Sequence, residues 1–340
     1  MTKLVERRSW SIALIAVVGL VSSLAAVHPD RAGAMPVAAK AAKADCALTG
    51  KTVAAKIARR PSVAIRISNS PDARPQTGVA TADLVIETPV EGGLTRLIAV
   101  FHCSPATAAG PVRSARIDDA DIVAPLSKLF GFSGANARVM GELQSSGLVN
   151  VTELTSGEAI SRIPSGSTDV NSVRANLTVL RAAARVAGHG KPSAGFRFGK
   201  VQSRRPSISS IDLNFGSTSV QYRWKSGSWV RSQDGAAFRD ASGSLVKTNN
   251  VLVQEVDTNA STGLFDSAGV ASPRFDLVGT GRALLFRNGR VVIGSWTDRG
   301  AGAPVFKTQK GAVMNLSPGT TWLEMVPGPD GNLSGSIAYR

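Results

Sequence analysis

Three short apolar runs, SVAIRIS, ADLVIET and LTRLIAVF, follow one another between residues 62 and 101, with turn sequences between them. Each run has the length of a strand, and the segments between them carry turn residues. SVAIRIS alternates and predicts a strand over 63–67. ADLVIET is almost continuously apolar, the pattern of a strand covered on both faces. The connection NSPDARPQTG is turn chemistry, carried by Asn69, Pro71, Asp72, Pro75 and Gly78.

Helical spacing begins further on. VRSARIDDADIVAPLSKL groups Ile117, Ile122, Val123 and Leu126 and predicts a helix that Pro125 bends or ends. LFGFSGA and VNVTEL read as strands flanking a short helix, NARVMGELQSSG, with Gly147 as its C-cap. DVNSVRANLTVLRAAARVAGHG predicts the clearest helix, with Val173, Leu177, Leu180, Ala184 and Ala187 on one face and Gly188 closing it. Residues 61–205 therefore read as an α/β or α+β N-terminal domain with a mixed sheet and flanking helices. Residues 206–340 lack a long helical pattern and read as a smaller, mostly-β C-terminal domain. There FRNGRV marks a hairpin, Asn288-Gly289 supplying the positive φ of a type I′ turn, and KSGS at 225–228 a second tight turn. Trp224, Trp229, Trp296 and Trp322 all fall in this half and read as core, carbohydrate stacking being the rival use.

The N-terminus is a targeting segment. Lys3, Arg7 and Arg8 precede an uncharged run from Ser11 to Val27, and Ala32 and Ala34 stand at the spacing of a signal-peptidase site. Residues 1–34 are expected to be a signal peptide cleaved after Ala34, an uncleaved anchor being the alternative. Residues 35–60, rich in Ala and Lys, read as a linker. This places the chain as secreted or on the extracytoplasmic face of a bacterial envelope. In that setting the two cysteines, Cys46 and Cys103, are most simply a disulfide, two separate thiols being the alternative.

The formal net charge is +15. Outside a cytoplasm the polyanions such a charge meets are wall polymers and anionic lipid headgroups, so the expected partner is one of these, close to the membrane. Only 5% of residues are aromatic and no nucleic-acid-binding motif is present, which argues against nucleic acid. HExxH, GxSxG, paired CxxC and Walker A patterns are absent, so no catalytic constellation is recognisable and no cofactor is expected.

The segment EGGLTRLIAVFHCSPATAAGPVRSAR carries the candidate site. Arg113 and Arg116 stand three apart at the mouth of the expected helix, where forked donors and free N–H groups suit phosphate or carboxylate. Arg96 lies on the strand after EGG. Glu87 and Glu91 are read as orienting Arg96 by pairing, or as holding a metal or moving protons. The candidate ligand-binding set is Arg96, Arg113, Arg116, Glu91, Glu87, Asp83, Ser114, Asn69 and Arg74. A salt-bridged first turn through Asp118, Asp119 and Asp121 is the competing structural reading. His102 and His189 fit no catalytic arrangement.

RPSVAIRISNSPDARPQTGVATADLVIETPVEGGLTRLIAVF and GPVRSAR, followed by NNVLVQEV, GTGRALLFRNGRVVIGSW and LSPGTTWLEMVP, resemble in order the YerB-like lipoprotein family of bacterial envelope proteins. The resemblance implies a two-part protein on the outer face of the membrane and supplies no activity. Two departures stand out: no lipobox is evident, and Ala175 occupies the place of a histidine that many members carry before the residue matched by Asn176. The motif order is also similar, more weakly, to the LytR-CpsA-Psr phosphotransferases. That likeness implies Mg²⁺ and lipid-linked glycopolymer precursors, with Asp83 as the acid and Arg113 and Arg116 as the pyrophosphate grip. Three readings stay open: an anion-binding envelope protein, a Mg²⁺-dependent phosphotransferase, and a scaffold for a wall or membrane partner.

Overall fold

The structure is a computed structural model that describes residues 42–193, 196–199, 207–266, 269–300 and 302–340. The leader expected at 1–34 lies outside the described residues. Ten strands build the main sheet: β1 (Val63–Ser68), β2 (Leu84–Pro89), β3 (Thr95–Phe101), β4 (Leu129–Gly131), β5 (Val149–Val151), β6 (Asn250–Val256), β7 (Gly279–Arg287), β8 (Arg290–Asp298), β9 (Val305–Thr308) and β10 (Thr321–Pro327). Their order is β9-β8-β7-β6-β10-β2-β3-β1-β4-β5. β6, β10 and β2 run parallel, as do β1, β4 and β5, and the remaining pairs are antiparallel. The sheet is mixed, as expected.

One join matters most. β10, near the end of the chain, lies between β6 and β2, so the N-terminal segment pairs directly with the C-terminal one. Glu324 on β10 stands in register with Glu87 on β2.

Both faces of the sheet are covered, which explains the near-continuous apolar runs. A six-stranded sheet packs on one face, where Ile65, Leu97, Val253 and Phe286 meet Ile211, Tyr222 and Trp229. The other face carries Ala64, Ile86, Ile98, Leu285 and Leu323 against Ile117, Val123, Leu126 and Val139. Trp229, Trp296 and Trp322 are buried and Trp224 is half-buried, so core is the use the fold makes of them.

Among the described residues the α-helices are few and short: α1 (Ala55–Ala58), α2 (Asp119–Val123), α3 (Ala137–Ser145) and α4 (Leu177–Val186). None among the described residues is long and apolar enough to cross a membrane. The expected helix over VRSARIDDADIVAPLSKL shrinks to α2. Its first residues are claimed instead by neighbouring backbone, the Arg113 N–H donating to Arg66 O and the Ala115 N–H to Gly134 O. Val173 is likewise in a strand, Val173–Asn176, paired with Ile160–Arg162, and the helix begins only after Asn176. Residues 42–60, read as part of a linker, are ordered: Lys43–Asp45 pairs with Thr52–Ala54, and Cys46 and Leu48 are buried. A Cys46–Cys103 disulfide fastens this hairpin to the end of β3. The Asn288-Gly289 hairpin forms with both φ values positive, 51° and 63°.

Candidate functional site

Period-two alternation decides where the charges go. Leu97 and Ala99 face the second sheet, so Arg96 points the other way, as does Arg66 between Ile65 and Ile67. On that side Arg96, Arg113, Ser114, Arg116 and Glu91 line one cavity of about 420 Å³. The hairpin Thr258–Phe265/Ala271–Phe275 closes it with Leu264, Phe265 and Ser272.

The three arginines differ in what they already hold. Arg116 is engaged: its Nε donates to Glu91 Oε1 at 2.7 Å and its Nη2 to Oε2 at 2.6 Å. Ser272 Oγ also donates to Glu91. Burial alone would raise the Glu91 carboxyl, but the hydrogen bonds and charge of Arg116 overcome it and hold the group at about 2. Arg96 donates from Nη1 to Ser114 O at 2.8 Å, and Arg116 shares that carbonyl at 3.4 Å. Two guanidinium groups are thereby held side by side. Burial, then the positive charges of Arg116 and Arg66, push Arg96 down to about 9. Among the described residues the Arg113 side chain donates to Ser68 Oγ, at 3.5 Å, and its charge helps hold the Asp72 carboxyl down. Among the described residues neither Arg96 nor Arg113 forms an ion pair.

Arg66, which nothing in the motif reading singled out, sits beneath this group. It is 1% exposed, its Nε lies 3.4 Å from Asp119 Oδ2, and its Nη1 donates to Thr88 Oγ1 at 3.0 Å. The alternation of SVAIRIS puts Arg66 on the face opposite Ile65 and Ile67, and nothing in the run itself shows that this face is buried too. The acids expected to form a salt-bridged turn do part of that work: Asp119 also accepts from the Arg116 backbone N–H at 2.8 Å, and Asp118 accepts from Phe275 N–H at 2.9 Å. Burial raises Asp118 to about 7.

The remaining candidates are elsewhere. Glu87 projects to the opposite face of the sheet from Arg96 and pairs with Arg231 at 2.7 Å. Orientation of Arg96 by Glu87 is thus corrected: the two are on different sides of one strand pair, and Glu91 serves Arg116 instead. Asn69 belongs to the Glu87 group, its Nδ2 donating to Glu87 Oε1, Thr95 Oγ1 and Gln233 Oε1 at 2.7–3.0 Å. Arg74 is paired with Asp234 at 2.8 Å. Asp83 lies at the far end of β2, about 16 Å along the strand from the residue opposite Arg96. There it accepts from the His102 and Ser104 backbone N–H groups at 2.6 and 2.9 Å. Asp83 and Glu91 therefore do not converge on a common ion, and Glu91 is occupied by Arg116 and Ser272.

Around Arg231 lies a buried network between the two sheets. Its guanidinium stands over Trp322, Phe238 and Tyr222, with centroid distances of 4.4, 4.7 and 5.6 Å. Tyr222 donates to Glu324. Burial, then the adjacent Glu87, push the Glu324 carboxyl upward, while the nearby Arg231 guanidinium opposes the shift. At the other end of the sheet His102 is buried beside both cysteine sulfurs, 3.3 and 3.5 Å away, and burial drives it down to about 4. The sulfurs are joined to each other, so they are not the thiolates a metal would need.

A two-sheet, β-rich protein with a basic cavity on its helical face is the class these observations define. The profile described as "Protein of unknown function (DUF3048) N-terminal domain" matches residues 48–189, and the corresponding C-terminal domain matches residues 211–323. The chain belongs to the DUF3048 family. It is 28% identical over 307 residues to the Bacillus subtilis (strain 168) protein named "Putative lipoprotein YerB", covering 87% of this chain and 90% of that one. The crystal structure of the Bacillus subtilis YerB protein aligns with a TM-score of 0.72 at 26% identity, over 87% of this chain and all of that one. The resemblance noted from the sequence is thereby upheld, as is a two-part organisation with a mostly-β C-terminal part. The two matched segments share the ten-stranded sheet.

Proposed function

We propose that this chain is an exported cell-envelope protein that binds an anionic, phosphate- or carboxylate-bearing ligand, with Arg96 and Arg113 as the contacting groups. The leader pattern, the basic balance of the chain and the lipoprotein name of its relative support the location. The observation that carries the ligand class is the unequal pairing of the arginines. Arg116 is neutralised by Glu91, while Arg96 and Arg113 turn unpaired guanidinium groups into a cavity. A largely buried guanidinium that lacks an ion pair, as Arg96 does, is costly, and an incoming anion offsets that cost. Arginine's forked donors suit phosphate and carboxylate alike. A wall polymer or a lipid headgroup both offer this chemistry.

Calorimetric titration of the full chain with a glycerol-phosphate oligomer, and sedimentation with phosphatidylglycerol vesicles, test the reading and separate its two sources. Binding in one of the two is expected, weakening with salt, and Arg113→Ala is expected to weaken it at least tenfold. Equal binding by wild type and a folded Arg96→Met, Arg113→Ala double variant would overturn it.

A further inference from the structure

A larger cavity, about 760 Å³, opens on the same face of the main sheet and belongs to neither the arginine site nor the buried network. Its floor is apolar: Ile86, Leu323 and Met325 from β2 and β10. Methionine at 325, with Met314 on the wall, gives it the adaptable lining of a site that accommodates chains of varied shape. The volume lies within the range of small-molecule sites.

One residue breaks the pattern. On β6, Leu252 and Val256 are buried on this face, and Gln254 stands between them where alternation calls for another apolar side chain. Gln254 is 2% exposed, lines the cavity, and its side-chain amide has no hydrogen-bond partner among the described residues. The little surface that Gln254 keeps is not sealed off, and as a lining residue it offers the cavity an amide donor and acceptor for a ligand's polar group. Charge at the mouth is balanced, Lys128 and Arg197 facing the cavity alongside Asp121 and Asp298, so the site does not select an ion. Val278 and Val305, 61% and 44% exposed, extend the apolar lining outward.

From this geometry we infer a second binding site that takes an uncharged acyl compound: a hydrocarbon chain bearing one ester or amide group. The chain lies on Ile86, Leu323 and Met325, and the ester or amide meets the Gln254 amide. The inference does not rest on the arginine cavity.

The full chain is titrated with the uncharged fluorescent probe N-phenyl-1-naphthylamine, which is then displaced with 1-monodecanoylglycerol below its aggregation concentration. Saturable probe binding and full displacement are expected. Met325→Trp fills the floor and Val278→Asp charges the exposed rim; each is expected to weaken probe binding at least tenfold. Val278→Asp lies outside the core, so it remains informative if Met325→Trp does not fold. Gln254→Leu is expected to retain the probe but to weaken displacement by the monoacylglycerol about tenfold. Arg113→Ala is expected to leave both untouched. The inference is overturned if the probe does not saturate, if the monoacylglycerol fails to displace it, or if folded Met325→Trp and Val278→Asp bind as the wild type does.

Discussion

At the scale of single residues, the site turns on which arginine has a carboxylate. Glu91 uses both oxygens on Arg116, and that pairing removes one positive charge from a cavity that keeps two. Glu91→Gln is therefore expected to tighten binding of a phosphate-bearing probe, roughly threefold to tenfold for one charge restored at a partly screened distance. The same change has a cost that pH reveals. Glu91 is held at about 2, below the ordinary carboxyl value. A depressed carboxyl stabilises the fold above its unfolded value and loses that contribution as pH falls toward the folded one. Chemical denaturation of the wild type between pH 5 and pH 2 is expected to show a downward slope that is shallower in Glu91→Gln. Matching slopes would mean that the pair carries no such linkage. Arg231 shows the contrary use of the same side chain. Stacked on aromatic rings and enclosed by Glu87 and Glu324, it has no opening toward a ligand and serves the junction of two sheets.

At the scale of elements, local chemistry and tertiary context divide the work. α4 begins where Asn176 accepts from the Thr178 and Val179 N–H groups, at 3.1 and 3.3 Å, satisfying donors the helix cannot pair itself. Asn176→Ala is expected to lower stability by about 1 kcal/mol, read as a shift in the urea midpoint with an unchanged slope. No shift would assign the helix start to Leu177 packing alone. The cap was not legible beforehand, because Val173 fits the helical face and only its pairing with Ile160–Arg162 shows that it is a strand. The central strands were legible for a simple reason: burial on both faces writes itself as continuous apolar sequence. Arg113 and Arg116 were legible as a cluster but not as a geometry. The backbone N–H groups of Arg113 and Ala115 are taken up by Arg66 and Gly134, outside the segment itself, which no helical spacing reveals. Glu87 was misassigned because its partner, Arg231, lies in the other half of the chain. Gln254 was overlooked because one polar residue in an apolar strand gains meaning only beside a cavity.

At the scale of the whole molecule, the two family segments are continuous in sequence but not separate in space. β10 enters between β6 and β2, so removing residues 206–340 strips β2 of its parallel neighbour and exposes a long apolar edge, the arrangement most prone to non-native pairing. It also removes Arg231 and leaves Glu87 buried or newly exposed without its cation. Breaking a buried pair from one side typically costs about 3–5 kcal/mol, a large fraction of the roughly 5–15 kcal/mol that holds a domain together. Fragment 42–205 is accordingly expected to lack a cooperative thermal transition and to give collapsed amide proton dispersion, while the intact chain melts as one unit. A fragment that melts cooperatively with native-like dispersion would show that the N-terminal segment folds without β10. The ten-stranded sheet would then be a docking of two finished parts, and the cavity bearing Gln254, whose floor draws on β2, β6 and β10, would be formed between them rather than within a single core.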